Sequence, residues 1–262
     1  MKILVPTKRV PDTDQKIVAS EDGRGVRLDK VPFVVNPCDV VALEEALRIL
    51  ERRSDVHEVV AVGIGAAGYE QQLRLTLAMG ASRAIHVRCE ERLDPWNIAK
   101  LLKAVVNREK PQLVILGKQA TDDDANQTGQ FLAALLDWPQ ATFVTRLENC
   151  DDEITVGRET DYGTETIALP LPAVVTADLR LNEPRYASLA GIMKARRATV
   201  EVLTPDELGV AIELRARVVR YRAVAARGRC QRVNSVDELV ELLCLPGAAL
   251  QNNSGTTQDL QR

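Results

Sequence analysis

Hydrophobic and polar positions in the first half of the chain follow two alternating patterns. Four short, continuous apolar runs are typical of buried strands: 3–6, 59–62, 84–87 and 113–116. Between these runs, apolar residues recur at the spacing of a helix, most clearly from Leu43 to Leu50. Because the two patterns alternate, the sequence predicts an α/β fold with a mostly parallel, doubly wound, Rossmann-like sheet and helices on both faces.

Residues that begin and end helices stand at the expected places. Asn36-Pro37 opens the first predicted helix, and Asp94-Pro95 opens the third. The second helix is predicted over 69–79, with Gly80 ending it. On the first helix, the Glu44–Arg48 pair has i, i+4 spacing and is predicted to lie on the exposed face.

The second half of the chain changes character. Short β patterns predict a β-rich extension, with a turn at 149–152 and strands at 142–147, 154–158, 166–169 and 173–177. From Leu179 onward we expect an extended arm with little core. The sequence therefore predicts a nucleotide-binding domain over 1–210 and a C-terminal arm over 211–262, with a disordered tail from 251.

Composition excludes several classes of function. The net charge of −3 and an aromatic content of 3% argue against nucleic-acid binding. No apolar run approaches the roughly 20 residues that span a bilayer, so we expect no membrane insertion. With His57 and His86 as its only histidines, the chain offers no histidine-based metal site or Ser-His-Asp triad. Five scattered cysteines and the absence of a presequence favour a reducing, cytoplasmic location.

The most informative segment is GKQATDDDANQTGQ at 117–130, between a predicted strand and a predicted helix. Open α/β folds bind nucleotides at such a position, and free backbone N–H groups at a helix start attract phosphate. The three aspartates suit ribose hydroxyls or a stiffened loop, and one alternative is an acidic helix cap. The P-loop pattern is absent. We expect backbone N–H groups around 126–129 to hold the phosphate.

A second candidate is the GxGxxG match at 63–68, which would suggest a dinucleotide site. It follows the second strand rather than the first, and its glycines can equally serve packing. Parallel strands place their carboxyl ends at one edge, so the loops near Pro6, Ile64 and Gly117 could share one ligand. Lys8 and Arg9 could meet phosphate or acid there, or be solvated surface charges.

The segment at 181–197, LNEPRYASLAGIMKARR, combines apolar and basic side chains after the predicted sheet has ended. An apolar centre with a basic rim is typical of a docking element, whereas the alternative is a short core helix. The arginine-rich strip at 215–232 has no interleaved aromatics, so we expect it to face an acidic partner surface.

Several of these segments resemble the beta subunit of electron-transfer flavoproteins over most of the chain to about residue 210. They are GKQATDDDANQTGQ at 117–130, LDWPQATF at 136–143, LPAVVTADLRLNEPRYASL at 171–189 and IMKAR at 192–196. The resemblance implies a heterodimer with an alpha subunit, whose FAD lies mainly in that subunit, and a structural AMP in the beta subunit. It also implies an electron carrier without independent catalysis.

The same resemblance implies partners, a location and site residues. Electrons would come from flavin dehydrogenases of the acyl-CoA type, in fatty acid beta-oxidation, and leave to a membrane quinone oxidoreductase. The location would be the cytoplasm of a bacterium or the mitochondrial matrix of a eukaryote. The arm would wrap the alpha subunit. The implied AMP contacts are Pro6, Asn36, Pro37, Cys38, Asp39, Ile64, Gln119, Ala120, Thr121, Asp122, Asp123, Asp124, Ala125, Asn126, Gln127, Thr128, Gly129 and Gln130. The implied docking residues are Leu189 as the anchor, Ile192, Met193, Lys194, Arg196 and Arg197.

This chain departs from the family at three places. Many relatives carry Tyr at the position of Thr13 and Phe-Cys at Cys38-Asp39, both near the flavin. Pro-Asn is replaced by Ala190-Gly191, which predicts a more flexible docking loop. Two alternatives stay open from the residues alone: an NAD-dependent oxidoreductase using Gly63–Gly68, and an adenine-nucleotide sensor without a redox partner.

Overall fold

The computed structural model describes residues 1–149, 153–223 and 232–244. The predicted turn at 149–152, part of the arginine strip and the tail from 251 lie outside these residues. The chain divides into two compact units, Met1–Tyr221 and Arg222–Arg262.

The elements are defined by their residue ranges. The strands are β1 (Lys2–Thr7), β2 (Arg9–Pro11), β3 (Val18–Ala19), β4 (Val26–Arg27), β5 (Phe33–Val35), β6 (Glu58–Gly65), β7 (Arg83–Arg88), β8 (Leu113–Gly117), β9 (Gln140–Asn149), β10 (Glu153–Thr160), β11 (Gly163–Pro170), β12 (Ala173–Ala177) and β13 (Glu201–Leu203). The helices are α1 (Pro37–Arg52), α2 (Tyr69–Met79), α3 (Pro95–Glu109), α4 (Thr128–Leu136), α5 (Leu189–Arg197) and α6 (Val236–Cys244).

Nine of the described strands form one sheet in the order β11-β10-β9-β12-β8-β1-β6-β7-β13. The seven strands from β9 to β13 in this order pair in parallel. β10 and β11 extend the other edge as antiparallel strands. The α/β fold class and the mostly parallel sheet with a β-rich extension are confirmed.

Helices cover both faces of the sheet because successive strand residues point to opposite sides. Ile3 and Val5 of β1 belong to a core shared with α1 and α2. Leu4, between them, belongs to a second core shared with α3 and α4. Since both faces are buried, the central strands are continuously apolar, which explains the apolar runs in the sequence.

The helix ends follow the predicted signals. Asp94 accepts a hydrogen bond from Asn97 N at 2.9 Å, with Pro95 in the first turn of α3. α2 ends at Gly80, whose φ of 132° is readily adopted only by glycine. The predictions for these two helices are therefore confirmed.

Two predictions were wrong, one for the chain after Leu179 and one for Glu44. The chain after Leu179 is not simply extended, because it forms helix α5 and then strand β13 at the sheet edge. Glu44 does not lie on an exposed face: it is 3% exposed and pairs with both Arg48 and Arg185. The sequence also gave no indication of the short pairs β2–β5 and β3–β4.

Glu44 is buried because residues 178–200, here named the strap, cross over α1 and α2 between β12 and β13. Arg185 of the strap bonds Glu44 and Glu51. Asn182 donates to Val41 O at 3.1 Å. Burial would raise the pKa of Glu44, but the Arg185 and Arg48 guanidinium groups hold it below its usual range.

Candidate functional site

A cavity of about 310 Å³ lies at the carboxyl ends of β1, β6 and β8. β6 and β8 flank β1 on opposite sides, and the chain reaches them through helices on opposite faces. The cavity therefore lies at a topological switch point, where open α/β sheets bind ligands.

The cavity brings together residues that follow β1, β6, β7 and β8, with the start of α1. The predicted contacts that line it are Pro6, Asn36, Asp39, Ile64, Gln119, Ala120, Asp122, Asp123, Ala125, Asn126, Gln127 and Thr128. The predicted contacts that do not appear in its wall are Pro37, Cys38, Thr121, Asp124, Gly129 and Gln130. Their assignment as ligand contacts stays a prediction.

Asn36 joins the entry of α1 to the loop after β8. Its Nδ2 donates to Gln119 O at 2.9 Å, and its Oδ1 accepts from Thr121 N at 3.3 Å. The side chain is thus used for tertiary bonding and does not cap α1. Asn36 fixes the polar loop next to the cavity before any ligand binds.

Asp39 performs a similar task deeper in the wall. Its carboxylate accepts from Lys8 N at 2.7 Å and from Gly117 N at 2.8 Å, linking the ends of β1 and β8. Burial raises the pKa of Asp39 to about 6, although these amide bonds favour the ionised form. A Cβ at Gly117 would lie 2.3 Å from Asp39 Oδ1, so the close approach requires glycine.

The aspartates of the polar loop are largely satisfied within the protein. Lys8 Nζ bridges Asp122 and Asp123 at 2.6 and 2.7 Å. Asp124 accepts from Gln119 Nε2 and has a φ of 52°. These contacts agree with the stiffening role considered for the aspartates. They also show that Lys8 meets acid, one of the alternatives left open from the sequence.

The start of α4 offers backbone donors to the cavity. The helix begins at Thr128, and Gln127 makes no side-chain cap. The first N–H groups of a helix have no acceptor within it, so those at 128–130 can attract an anion. Gly129 packs against the sheet, where a Cβ would lie 2.5 Å from Thr176 Cγ2.

The GxGxxG segment at 63–68 forms part of the cavity wall, and its glycines pack against neighbouring side chains. Gly65 has a φ of 147°, and a Cβ there would meet the Tyr69 ring at 2.3 Å. The Gly65 carbonyl oxygen lies 2.8 Å from His86 Nε2. Gly68 lies beside the Arg9 side chain. Contacts within the protein thus account for these glycines without a dinucleotide.

Sequence reasoning left Arg9 undecided and missed Tyr69. The Arg9 guanidinium lies 3.4 Å from the centre of the Phe33 ring, and its Nε is buried without a hydrogen-bond partner among the described atoms. Burial lowers the pKa of Arg9 and raises the pKa of Tyr69 to about 12. The Arg9 side chain thus lines the cavity, but its Nε atom is covered by the surrounding protein.

The loop between β7 and α3 was also missed as part of the wall. It contributes Glu90, Glu91, Arg92, Leu93 and Pro95. The strand pattern contained a signal for it, because this loop follows the third parallel strand and so reaches the same edge.

The predicted docking residues lie away from the cavity, on α5. Leu189 is 79% exposed and Met193 is 47% exposed, whereas Ile192 is half-buried. Lys194, Arg196 and Arg197 are exposed in the last turn. Residues 189–197 of the segment therefore form a surface helix rather than the alternative core helix, and 181–188 contain no helix or strand. The docking role stays a prediction.

Neither a metal site nor a membrane-spanning helix is present among the described residues. No group of three or more His, Cys, Asp or Glu side chains there could hold a metal ion. Over the same residues, none of the helices is long and apolar enough to cross a membrane.

The fold and the cavity define a doubly wound α/β protein with a ligand site of the kind that holds nucleotides. A family model described as electron transfer flavoprotein domain matches residues 26–208. The electron transfer flavoprotein subunit beta of Dictyostelium discoideum is 46% identical to this chain over 243 residues, which cover 93% of this chain and 97% of that protein. The same subunit of Bradyrhizobium diazoefficiens is 49% identical, and the match covers 93% of this chain and 97% of that protein. The human subunit is 45% identical, and the match covers 93% of this chain and 96% of that protein. The chain belongs to the family of electron transfer flavoprotein beta subunits, and the resemblance is confirmed.

Proposed function

We propose that this beta subunit pairs with an alpha subunit, binds AMP as a structural ligand and completes an FAD site held mainly by the alpha subunit. The heterodimer accepts electrons from flavin dehydrogenases of the acyl-CoA type and passes them to a quinone oxidoreductase of the respiratory chain. The beta subunit has no independent catalysis. Its location is the cytoplasm of a bacterium or, in a eukaryote, the mitochondrial matrix.

The cavity at the switch point is the observation that carries the AMP proposal. Its volume and its apolar side chains, among them Val62, Ile64 and Leu116, suit a nucleobase. The free N–H groups at the start of α4 suit a phosphate. Lys8 neutralises two aspartates beside this site, which lowers the repulsion that an anion would meet.

The FAD proposal rests on the family, and this chain supplies one wall of that site. FAD, when bound, provides the redox chemistry. Thr13 is exposed in the turn after β2, and Cys38 is buried in the first turn of α1. Burial raises the pKa of the Cys38 thiol, so this side chain acts as an apolar group at neutral pH.

Nucleotide analysis of the co-expressed heterodimer tests this proposal. We expect one extractable AMP and one FAD per heterodimer, and little flavin on the beta subunit expressed alone. A second flavin in place of AMP would contradict the proposal. NAD(H) binding by the isolated chain would favour the oxidoreductase alternative, and failure to capture any flavoprotein subunit would favour the nucleotide sensor.

Helix α5 supports the docking part of the proposal. Leu189 projects into solvent from the start of the helix, and three basic side chains lie in its last turn. We propose that it inserts into an apolar pocket with an acidic rim on a flavin dehydrogenase. Exposed apolar side chains of this size act as anchors when a partner desolvates them.

Replacing the anchor tests this docking surface. In the heterodimer, Leu189→Ala should lower kcat/KM for electron transfer from an acyl-CoA dehydrogenase by roughly thirtyfold, equivalent to about 2 kcal/mol. FAD and AMP content should stay unchanged. Tyr162→Ala, at the fully exposed turn between β10 and β11, is the matched control and should transfer normally. Loss of flavin with unchanged transfer per flavin would instead mark Leu189 as a structural residue.

A further inference from the structure

Helix α5 is too short and too exposed to hold its own conformation. It has nine residues, of which only Ala195 is buried. Isolated helices below about 12 residues are marginal in water. The order of this helix must therefore come from contacts with the rest of the protein, and those contacts lie on α2.

The first contact is a close approach of the two helices. A Cβ at Gly191 would lie 2.3 Å from Ala78 O, at the carboxyl end of α2. The Gly191 N–H is bonded to the side chain of Ser188, the N-cap of α5. Gly191 therefore allows α5 to lie against α2, and the flexibility expected from Ala190-Gly191 is not its structural role.

The second contact is made by Arg74 of α2. Its Nη1 donates to Ala195 O at 2.8 Å and to Ala198 O at 3.1 Å. Its Nη2 bonds Glu70 at 2.7 Å, which orients the guanidinium. The last carbonyl groups of a helix have no partner within it, and Arg74 supplies one from another element.

We infer that Arg74 is a positioning residue for the docking surface: it fixes the carboxyl end of α5 on α2 and so sets where Leu189 and Met193 project. Neither of these exposed side chains is held by packing of its own. Their position depends on the backbone of α5, which Arg74 and Gly191 hold at opposite ends. The inference rests on the proposed docking role of this helix.

The test compares variants of the co-purified heterodimer in electron transfer from an acyl-CoA dehydrogenase charged with its substrate. Arg74→Ala should raise the KM for the heterodimer about fivefold with little change in kcat, since docking weakens and the redox step does not. Deuterium exchange of the backbone amides at 192–198 should become faster, whereas FAD and AMP content should be unchanged. Arg74→Lys should give an intermediate KM, because one ammonium cannot bridge Glu70 and the carbonyls as a guanidinium does.

Two further variants make the result decisive. Gly191→Ala should reproduce the KM and exchange changes from the other end of the helix. Arg146→Ala removes an exposed arginine that pairs with Glu148 on β9, and should change neither. Faster exchange with an unchanged KM, or loss of FAD and AMP, would overturn the inference. An unchanged KM in Leu189→Ala would instead overturn the docking proposal itself.

Discussion

At the scale of single residues, Asp39 joins two loops through two backbone amides, each bonded to a different carboxylate oxygen. An ionised carboxylate is the side chain that can accept from both without offering a donor. Burial opposes this ionisation, and the result is a carboxyl group whose pKa is about 6. Asp39 thus couples the shape of the cavity to pH.

The Asp39→Asn variant should reveal this coupling. Between pH 4 and 6 the folded carboxyl keeps its proton while the unfolded one, with an ordinary pKa of 3.8, loses it. The free energy of unfolding of the unmodified chain should therefore fall, relative to the variant, by roughly 2 kcal/mol as pH rises through this range. The difference should become constant only above about pH 7, one pH unit above the folded pKa.

Urea unfolding of the isolated chain at pH 4.5 and pH 7 measures this change. Asp29→Asn, at an exposed position, serves as the control for removing an acid. If the difference between the unmodified chain and Asp39→Asn is the same at both pH values, Asp39 does not titrate as described.

Single-residue roles were only partly predictable from the sequence. The resemblance drew attention to Asn36 and Asp39, but not to the bonds that they form across more than 30 and 80 residues of chain. The partners of Lys8 and Arg9 depend on which loops the sheet brings together. The local sequence pattern does not indicate such distant contacts, so the partners of both side chains could not be predicted.

At the scale of elements, the residue that caps α3 also binds a distant segment of the chain. Asp94 accepts from Asn97 N and also, through its other oxygen, from Arg215 N and Ala216 N. Asn97 exchanges two hydrogen bonds with the backbone of Glu213. One capping group therefore fastens the chain that follows β13 to the helix beside the cavity.

Asp94→Ala should consequently lower the free energy of unfolding by more than the loss of an ordinary helix cap does. We expect a loss of about 2 kcal/mol in the free energy of unfolding, because the cap and two part-buried backbone donors lose their acceptor together. Ser188→Ala removes the cap of the exposed helix α5 and should cost less than about 1 kcal/mol. Chemical unfolding of both variants gives the comparison, and equal losses would show that Asp94 acts only as a cap.

Elements were predictable where they are long and buried. The central strands and α1 to α4 have apolar faces that repeat over several residues. α5 was considered only as the alternative to a docking element, because three apolar residues within nine positions form too short a pattern to decide. β13 and the strands of the pairs β2–β5 and β3–β4 are two or three residues long, too short for any periodicity to appear.

At the scale of the whole molecule, the chain has two units of very different character. Met1–Tyr221 contains the sheet and both cores, whereas the described part of Arg222–Arg262 contains α6, which buries none of its residues. Val236, Leu239, Val240 and Leu243 of this helix are exposed. An amphipathic helix with an exposed apolar face is typical of a segment that binds a partner.

A chain that ends at Tyr221 should separate folding from assembly. We expect its urea unfolding midpoint to match that of the full chain, because the part of the second unit that the structure describes adds no residue to the two cores. It should fail to co-purify with the alpha subunit, since the arm is proposed to wrap that subunit. Co-purification with a full complement of FAD would contradict this role for the arm.

The order of the strands was less accessible than their existence. Alternating strands and helices predict a parallel sheet, but they do not say on which side of β1 each strand is added. That choice depends on which face each helix covers, which the tertiary packing decides. The switch point, and with it the place of the cavity, could be anticipated only as an edge shared by several loops.

The strap has a consequence for how the molecule matures. Its two ends are fixed in β12 and β13, with four strands of the sheet lying between them. The strap's bonds to α1 and α2 join residues more than 100 positions apart in the chain, and closing such long loops costs more entropy than forming local contacts. A chain whose sheet is unfinished has no second attachment for the strap and no ordered α2 to hold the helix upon it. Recognition by a redox partner would then discriminate between finished and partly folded molecules.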